Sequence, residues 1–196
     1  MDNLLICFHT CSFTNESKED LQRIIPFCSN TSKPQWLGQG YYFWTDSEHF
    51  AHQWGDVHYS SKYAINKFKI TLSKENFFDL VGNVNHQLQF LEYKDNFHKL
   101  LDEIIEQPAS VKQKAERRQK IAKLKQNGIK VSVIFWALRK LRKINYKVVK
   151  AYDIQPSVDN IEYIEKEFIS LPTRQQIVVY PEAKNIIEHV SWVHPS

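Results

Sequence analysis

Apolar residues recur with a period of two near both ends of the chain and with a helical period through its middle, which predicts strands, then helices, then strands again. Residues 4–10 (LLICFHT) put Leu5, Cys7 and His9 on one face and Leu4, Ile6, Phe8 and Thr10 on the other, a strand with His9 near its end. Residues 14–25 carry Leu21, Ile24 and Ile25 at helical spacing, with Asn15 as a cap. Trp36-Leu37-Gly38-Gln39-Gly40 leads into an aromatic strand, Tyr41-Tyr42-Phe43-Trp44, and Asp46 or Ser47 then starts a helix reaching about Trp54. Residues 63–72 alternate as a strand with one buried face, and residues 77–80 are extended. Residues 83–106 read as one or two helices ended before Pro108. Residues 109–126 form a polar helix stopped at Asn127-Gly128, and residues 130–143 a helix with Val133, Phe135, Trp136, Leu138 and Leu141 on its apolar side. Residues 146–153 return to strand, 161–168 fit either state, and 175–180 (QQIVVY) read as a buried strand. The class is α+β: a mixed sheet in which strands from both ends of the chain meet inside the fold.

A length of 196 residues with 42% hydrophobic side chains supports one core and one domain over residues 1–196. The longest strongly apolar run, residues 131–138, is far short of the roughly 20 residues that cross a bilayer. The sequence opens without the basic start and long apolar core of a signal peptide, so a cytoplasmic protein is expected. Three cysteines, Cys7, Cys11 and Cys28, fit free thiols in a reducing compartment. The net charge of +4 conceals a strong segregation, because Val111 to Lys150 holds 14 Lys and Arg residues against the single acid Glu116. An acidic body with a basic block predicts a polyanionic partner.

Three separated fragments carry the candidate chemistry: Phe8-His9-Thr10, then Leu37-Gly38-Gln39-Gly40-Tyr41-Tyr42-Phe43-Trp44 followed by Ala51 and Trp54, then Gln175-Gln176-Ile177-Val178-Val179-Tyr180-Pro181. In order and spacing they resemble the ADP-ribosyltransferase superfamily, in its diphtheria-toxin-like and poly(ADP-ribose)-polymerase-like branch. The resemblance covers roughly residues 4–72 and 146–187. It implies a split mixed sheet with flanking helices, with residues 83–145 as a basic helical insertion, and NAD+ as co-substrate. By the same resemblance, His9 bonds the adenosine ribose, the Thr10 backbone binds the nicotinamide amide, and Tyr42 packs on the nicotinamide ring. Trp54 or Tyr59 covers the ring's other face, and Gly38 and Gly40 allow close approach. Thr10 stands where the family has glycine, and its peptide groups serve if its side chain turns away.

Gln176 falls where the family's catalytic glutamate is expected, with Gln175 as the other register; His9, Tyr42 and Gln176 are the catalytic candidates. Strand alternation lets only one of the two glutamines line a cleft. A carboxylate there would stabilise the cationic ribose formed as nicotinamide leaves, whereas an amide only orients it, so Glu182 or Asp153 substitutes, the target supplies the base, or the reaction is slower. A zinc site built from His49, His52, His58, Cys7 and Cys11 lacks any Cys-x-x-Cys pair or the usual helical His spacing, and no metal is expected.

In the basic block, Arg117, Arg118, Lys123, Arg139, Lys140, Arg142 and Lys143, with Trp136, Tyr146 and Tyr152 interleaved, are candidates for binding RNA or single-stranded DNA. The leading expectation is a mono-ADP-ribosyltransferase resembling the RNA- or DNA-modifying toxins of toxin-antitoxin and antiviral defence systems, which implies an inhibitory antitoxin protein as partner, with or without a chaperone. Two alternatives stand beside it: ADP-ribosylation of a protein, and a non-catalytic module that binds nucleic acid or nucleotide.

Overall fold

The computed structural model describes residues 3–30, 32, 35–126, 130–141, 144–153, 162–163, 170–171 and 173–195. The chain is mixed α+β. Its elements run β1 (Asn3–Ser12), α1 (Lys18–Ile24), β2 (Tyr41–Thr45), α2 (His49–Tyr59), β3 (Tyr63–Leu72), β4 (Phe77–Asp79), α3 (Val84–Glu106), α4 (Val111–Gln126), α5 (Val131–Lys140), β5 (Val148–Tyr152), β6 (Glu162–Tyr163), β7 (Ser170–Leu171), β8 (Gln175–Val179) and β9 (Ile187–His194). A 3-10 segment, Pro181–Ile186, joins β8 to β9.

Seven strands form one open sheet in the order β4-β5-β8-β2-β1-β3-β9, while β6 and β7 pair separately. β4 and β5 are parallel, and the other neighbouring pairs in the large sheet are antiparallel. A parallel pair needs a long crossover. Here α3, α4 and α5, within residues 83–145, are that crossover.

Alternation along the strands sorts the core into two layers. On one face Cys7, Cys11, Phe43, Phe68, Ile177 and Val179 pack with Leu21 and Ile25, the apolar side of α1 and its end. The opposite face carries two separate clusters. One lies under α2, with Phe8, Trp44 and Ile65 against Phe50 and Ala51. The other lies under α3–α5, with Val149, Ala151 and Val178 against Phe97, Leu101, Phe135 and Leu138. β2 runs between the two helix groups.

Several expectations need correction. The first helix is shorter than residues 14–25, because Ser17, not Asn15, supplies the cap by accepting from the Asp20 N–H. α2 starts at His49, whose N–H donates to Ser47 Oγ at 3.2 Å, so Ser47 of the two candidates serves the helix start, while Asp46 takes a left-handed turn conformation at φ 68°. β3 is buried on both faces over its first four residues, since α2 covers the side left to solvent in the alternation. The strands from the two ends do meet inside the sheet, with β1 and β8 flanking β2, but the last strand, β9, is an edge that the periodicity did not reveal. The Asn127-Gly128 stop, and most of the ambiguous residues 161–168, lie outside the described residues.

Candidate functional site

β1 and β2 are partners only at Cys7↔Thr45 and Phe8↔Trp44, whereas β1 follows β3 over ten residues. The Phe13 N–H donates to Lys62 O at 3.0 Å, one step beyond the Ser12↔Tyr63 partners, which makes that pair a hydrogen-bonded one. Counting back by twos, Cys11 and His9 turn their peptide groups to β3, while Phe8 and Thr10 turn theirs toward β2. At Thr10 the facing position would be Tyr42, but the ladder has stopped. Thr10 therefore presents an N–H and a C=O into a seam between two strands of one sheet. Its side chain turns elsewhere: Oγ1 donates to Ala51 O of α2 at 2.9 Å.

His9 closes the bottom of the seam. Its Nδ1 lies 3.0 Å from Tyr42 O, and the Phe27 N–H donates to Nε2 at 3.3 Å. A ring nitrogen that receives an N–H carries no proton, so His9 is the neutral Nδ1–H tautomer donating to Tyr42 O. Burial pushes its pKa below the ordinary value, with the Tyr42 hydrogen bond opposing. The ring packs among Phe27, Phe43 and Phe68 at centroid distances of 6.2, 5.7 and 6.3 Å.

Above His9 the seam widens into a cavity of about 330 Å³, within the range of small-molecule sites. Its walls are largely aromatic, with Trp36, Tyr42, Trp44, Trp54 and Tyr59 all lining it. The segment around Phe27, Cys28 and Ser29 forms another wall, tied to β2 by the Ser29 N–H donating to Gly40 O at 2.8 Å and the Gly40 N–H donating to Ser29 Oγ at 3.0 Å. Trp54 stacks on His58 at 3.6 Å, which fixes its indole at the rim.

Gln176, on β8, lines the cavity and is 7% exposed; Gln175 is not among the lining residues and bonds Thr173 instead. The Trp36 indole N–H donates to Gln176 Oε1 at 2.9 Å. Because an indole only donates, this contact fixes the orientation of the Gln176 amide, oxygen toward Trp36 and NH2 away from it. Asp153 lines the cavity too. Since Ala151 pairs with Gln176, Asp153 stands diagonally from Gln176 on the same face of the sheet, with Arg174 directly opposite it. Arg174 Nη2 donates to Asp153 Oδ2 at 2.7 Å, and its guanidinium lies 5.2 Å from the Trp44 ring.

The fold thus brings His9, Thr10, Tyr42, Trp54 and Gln176 around one cavity. Gly38 and Gly40 do not line it, and their need for glycine is local. Gly38 has φ 94°, and a Cβ on Gly40 would sit 2.5 Å from Val179 O of β8. The Tyr42 hydroxyl is engaged in the Gly38 turn, donating to Gly38 O at 2.7 Å and accepting from the Leu37 N–H at 3.1 Å, so it is the Tyr42 ring that faces the cavity. Of the two acids considered in place of a glutamate, Asp153 lines the cavity, while Glu182 lies in a separate depression, ion-paired with Arg139.

The basic block is less free than its sequence implies. Arg118 pairs with Glu106 at 3.2 Å, Lys125 pairs with Asp102 at 2.6 Å, and Arg117 donates to Ile104 O and Gln107 O. Two acids on α3 thus pair with two of the seven cations on α4. Lys123 on α4 and Lys140 on α5 are exposed and Arg139 is half-buried, while Arg142 and Lys143 lie outside the described residues. Among the described residues, no group of three or more His, Cys, Asp or Glu side chains is arranged to hold a metal ion, and no helix is long and apolar enough to cross a membrane.

Sequence reasoning did not single out Trp36 or the Phe27–Ser29 segment. Neither carries a periodic or motif signal, and both reach the cavity only through contacts with β8, β1 and β2. No protein-family model matches this chain, and comparison with curated proteins and with solved structures gives no match either.

Proposed function

We propose that the cavity binds NAD+ by its nicotinamide end and that the protein is a mono-ADP-ribosyltransferase of the ADP-ribosyltransferase fold, acting on a nucleic acid in the manner of a toxin. The observation that carries this reading is the seam at Thr10. One N–H and one C=O, side by side on a strand with no facing ladder, complement a primary carboxamide, which offers one acceptor and donors on a planar group. The aromatic walls contributed by Tyr42, Trp44, Trp54 and Tyr59 suit a flat heteroaromatic ring next to that amide.

In the proposed transfer, the bond between the ribose carbon and the nicotinamide nitrogen breaks, and nicotinamide leaves with the electron pair. The acceptor nucleophile then attacks the ribose carbon and loses its proton. The Gln176 NH2 is available to orient a ribose hydroxyl, and Asp153 is the carboxylate among the described lining residues. A ribose hydroxyl bonding His9 Nε2 would displace the long Phe27 contact.

A second reading is favoured by the same glutamine. Its oxygen is committed to Trp36 and it bears no charge, which fits a site that binds nucleotide without chemistry.

One experiment separates the two. Pure protein is incubated with NAD+ labelled on the adenylate, together with single-stranded RNA, single-stranded DNA and lysate protein, alongside Gln176→Glu and Trp54→Ala variants. The transferase reading expects label on a nucleic acid, a loss of at least tenfold in Trp54→Ala, and faster transfer in Gln176→Glu, which keeps an oxygen for Trp36 while adding the charge. Label on protein alone would move the acceptor to a protein. Absence of both polymer label and nicotinamide release in the wild type and in Gln176→Glu would leave the non-catalytic reading.

A further inference from the structure

A second depression, of about 510 Å³, lies where α5 meets the chain before β5, and its lining includes Trp136, Arg139, Lys140, Asn145, Tyr146 and Glu182. α5 is amphipathic, with Ile134, Phe135, Ala137 and Leu138 buried. Trp136 is nonetheless 62% exposed, on the side of the helix that also carries Arg139 and Lys140, three and four residues on. An indole left in water beside two cations is unusual for a residue type that helices normally turn inward. Arg139 is held in position: its guanidinium lies 3.8 Å from the Tyr180 ring centre and it is ion-paired with Glu182.

We infer that this depression is a docking site for single-stranded nucleic acid, with Trp136 stacking on an unpaired base while the exposed Lys140 meets a flanking phosphate. The components argue for a nucleic acid over an acidic protein. A flat exposed indole binds the face of any base, and the Asn145 amide and Glu182 carboxylate offer hydrogen bonds to base edges. A carboxylate-rich peptide would gain nothing from the indole. The Tyr146 hydroxyl donates to Gln89 Oε1 at 3.1 Å, which fixes that ring in the wall.

The depression is continuous with the cavity through protein contacts. Below Arg139, the Tyr180 hydroxyl donates to Leu37 O at 3.1 Å, and the Leu37 N–H donates to the hydroxyl of Tyr42, whose ring lines the cavity. A strand held at Trp136 is thus held on the scaffold that positions Tyr42. The docking inference deepens the proposed nucleic-acid acceptor but does not need the transfer, so it is tested without NAD+.

The test is fluorescence anisotropy of end-labelled twelve-nucleotide oligo(U) and oligo(dT) titrated with the full chain, in wild type, Trp136→Ala, Lys140→Gln and Lys112→Gln, at several salt concentrations. Because Trp136 is exposed, its replacement leaves the core intact, and circular dichroism checks this. The expected result is roughly tenfold or greater weakening in Trp136→Ala, a salt slope shallower by about 0.7 in Lys140→Gln, and little change in Lys112→Gln on exposed α4. Preference for oligo(U) or oligo(dT) then assigns the strand type. Undiminished binding by Trp136→Ala overturns the inference, as does equal competition by polyglutamate, which would make the surface a protein-docking one. If binding behaves as expected and no label is transferred from NAD+, the docking site stands and the transferase reading falls.

Discussion

His9 shows how one side chain can serve both the fold and the cavity. Its two ring nitrogens join β2 to the Phe27 segment across a point where the sheet has no backbone rungs. Replacing it with alanine removes two hydrogen bonds and leaves a hole among three phenylalanine rings, a loss of about 2–4 kcal/mol measurable by urea unfolding. Burial keeps the folded pKa of His9 below its ordinary value near 6.5. The unfolded chain then takes up a proton that the folded chain refuses, so the contribution of His9 is complete above about pH 6.5 and is lost progressively as the pH falls below it. His86, His189 and His194 are shifted the same way by burial and add to the slope. A melting series from pH 7.5 to 5 should show declining stability, and His9→Gln should flatten the decline. The candidate role of His9 was legible in residues 8–10, because a histidine ending an apolar strand stands out. Its internal bonding was not, since Phe27 and Tyr42 reach it only through the tertiary fold.

Among the elements, those with strong periodicity matched their expected positions: β1, β2, β3, β8 and α3–α5 lie close to the ranges that alternation or helical spacing marks out. β9 was missed because its sequence, IEHVSWVH, mixes histidine, glutamate and serine with isolated apolar residues, as befits an edge strand half open to water. The shortened α1 reflects a competition between polar residues at 14–17, each able to cap, which only the geometry of Ser17 decides. The four-pair ladder of β2 with β8 is entered through Gly40, where a side chain has no room. A Cβ on Gly40 would meet Val179 O at 2.5 Å and Val178 Cγ2 at 2.6 Å. Gly40→Ala should therefore push β2 off β8 and destabilise the protein by about 1–3 kcal/mol in thermal or urea melts. It should also disturb the spacing between Tyr42 and Gln176, even though Gly40 touches neither the cavity nor any ligand in it.

At the scale of the molecule, the charge count overstates the attraction that the surface exerts. Fourteen free cations would give a dependence of log affinity on log salt of about −10 for a single strand, but α3 supplies Glu106 and Asp102 to Arg118 and Lys125, and Glu182 takes Arg139. With Lys150 also paired to Asp46, at most ten of the fourteen remain, so a slope no steeper than about −7 is expected, and values near −10 would mean that these pairs open on binding. The segregation of charge was legible from residues 111–150; its partial cancellation was not, because the acids lie on a neighbouring helix and in the 3-10 segment after β8. The interrupted pairing of β1 with β2 bears on the whole molecule as well. A sheet whose central strands share only the two pairs Cys7↔Thr45 and Phe8↔Trp44 is two half-sheets with few rungs between them, to which His9 adds its side-chain bond to Tyr42 O. A guest that hydrogen-bonds Thr10 and lies against Tyr42 would complete the missing stitches and so become a structural member of the sheet. Free nicotinamide, with no reaction to undergo, should then slow amide exchange along β1 and β2 and raise the melting temperature, and it would do so by fastening the two halves to each other.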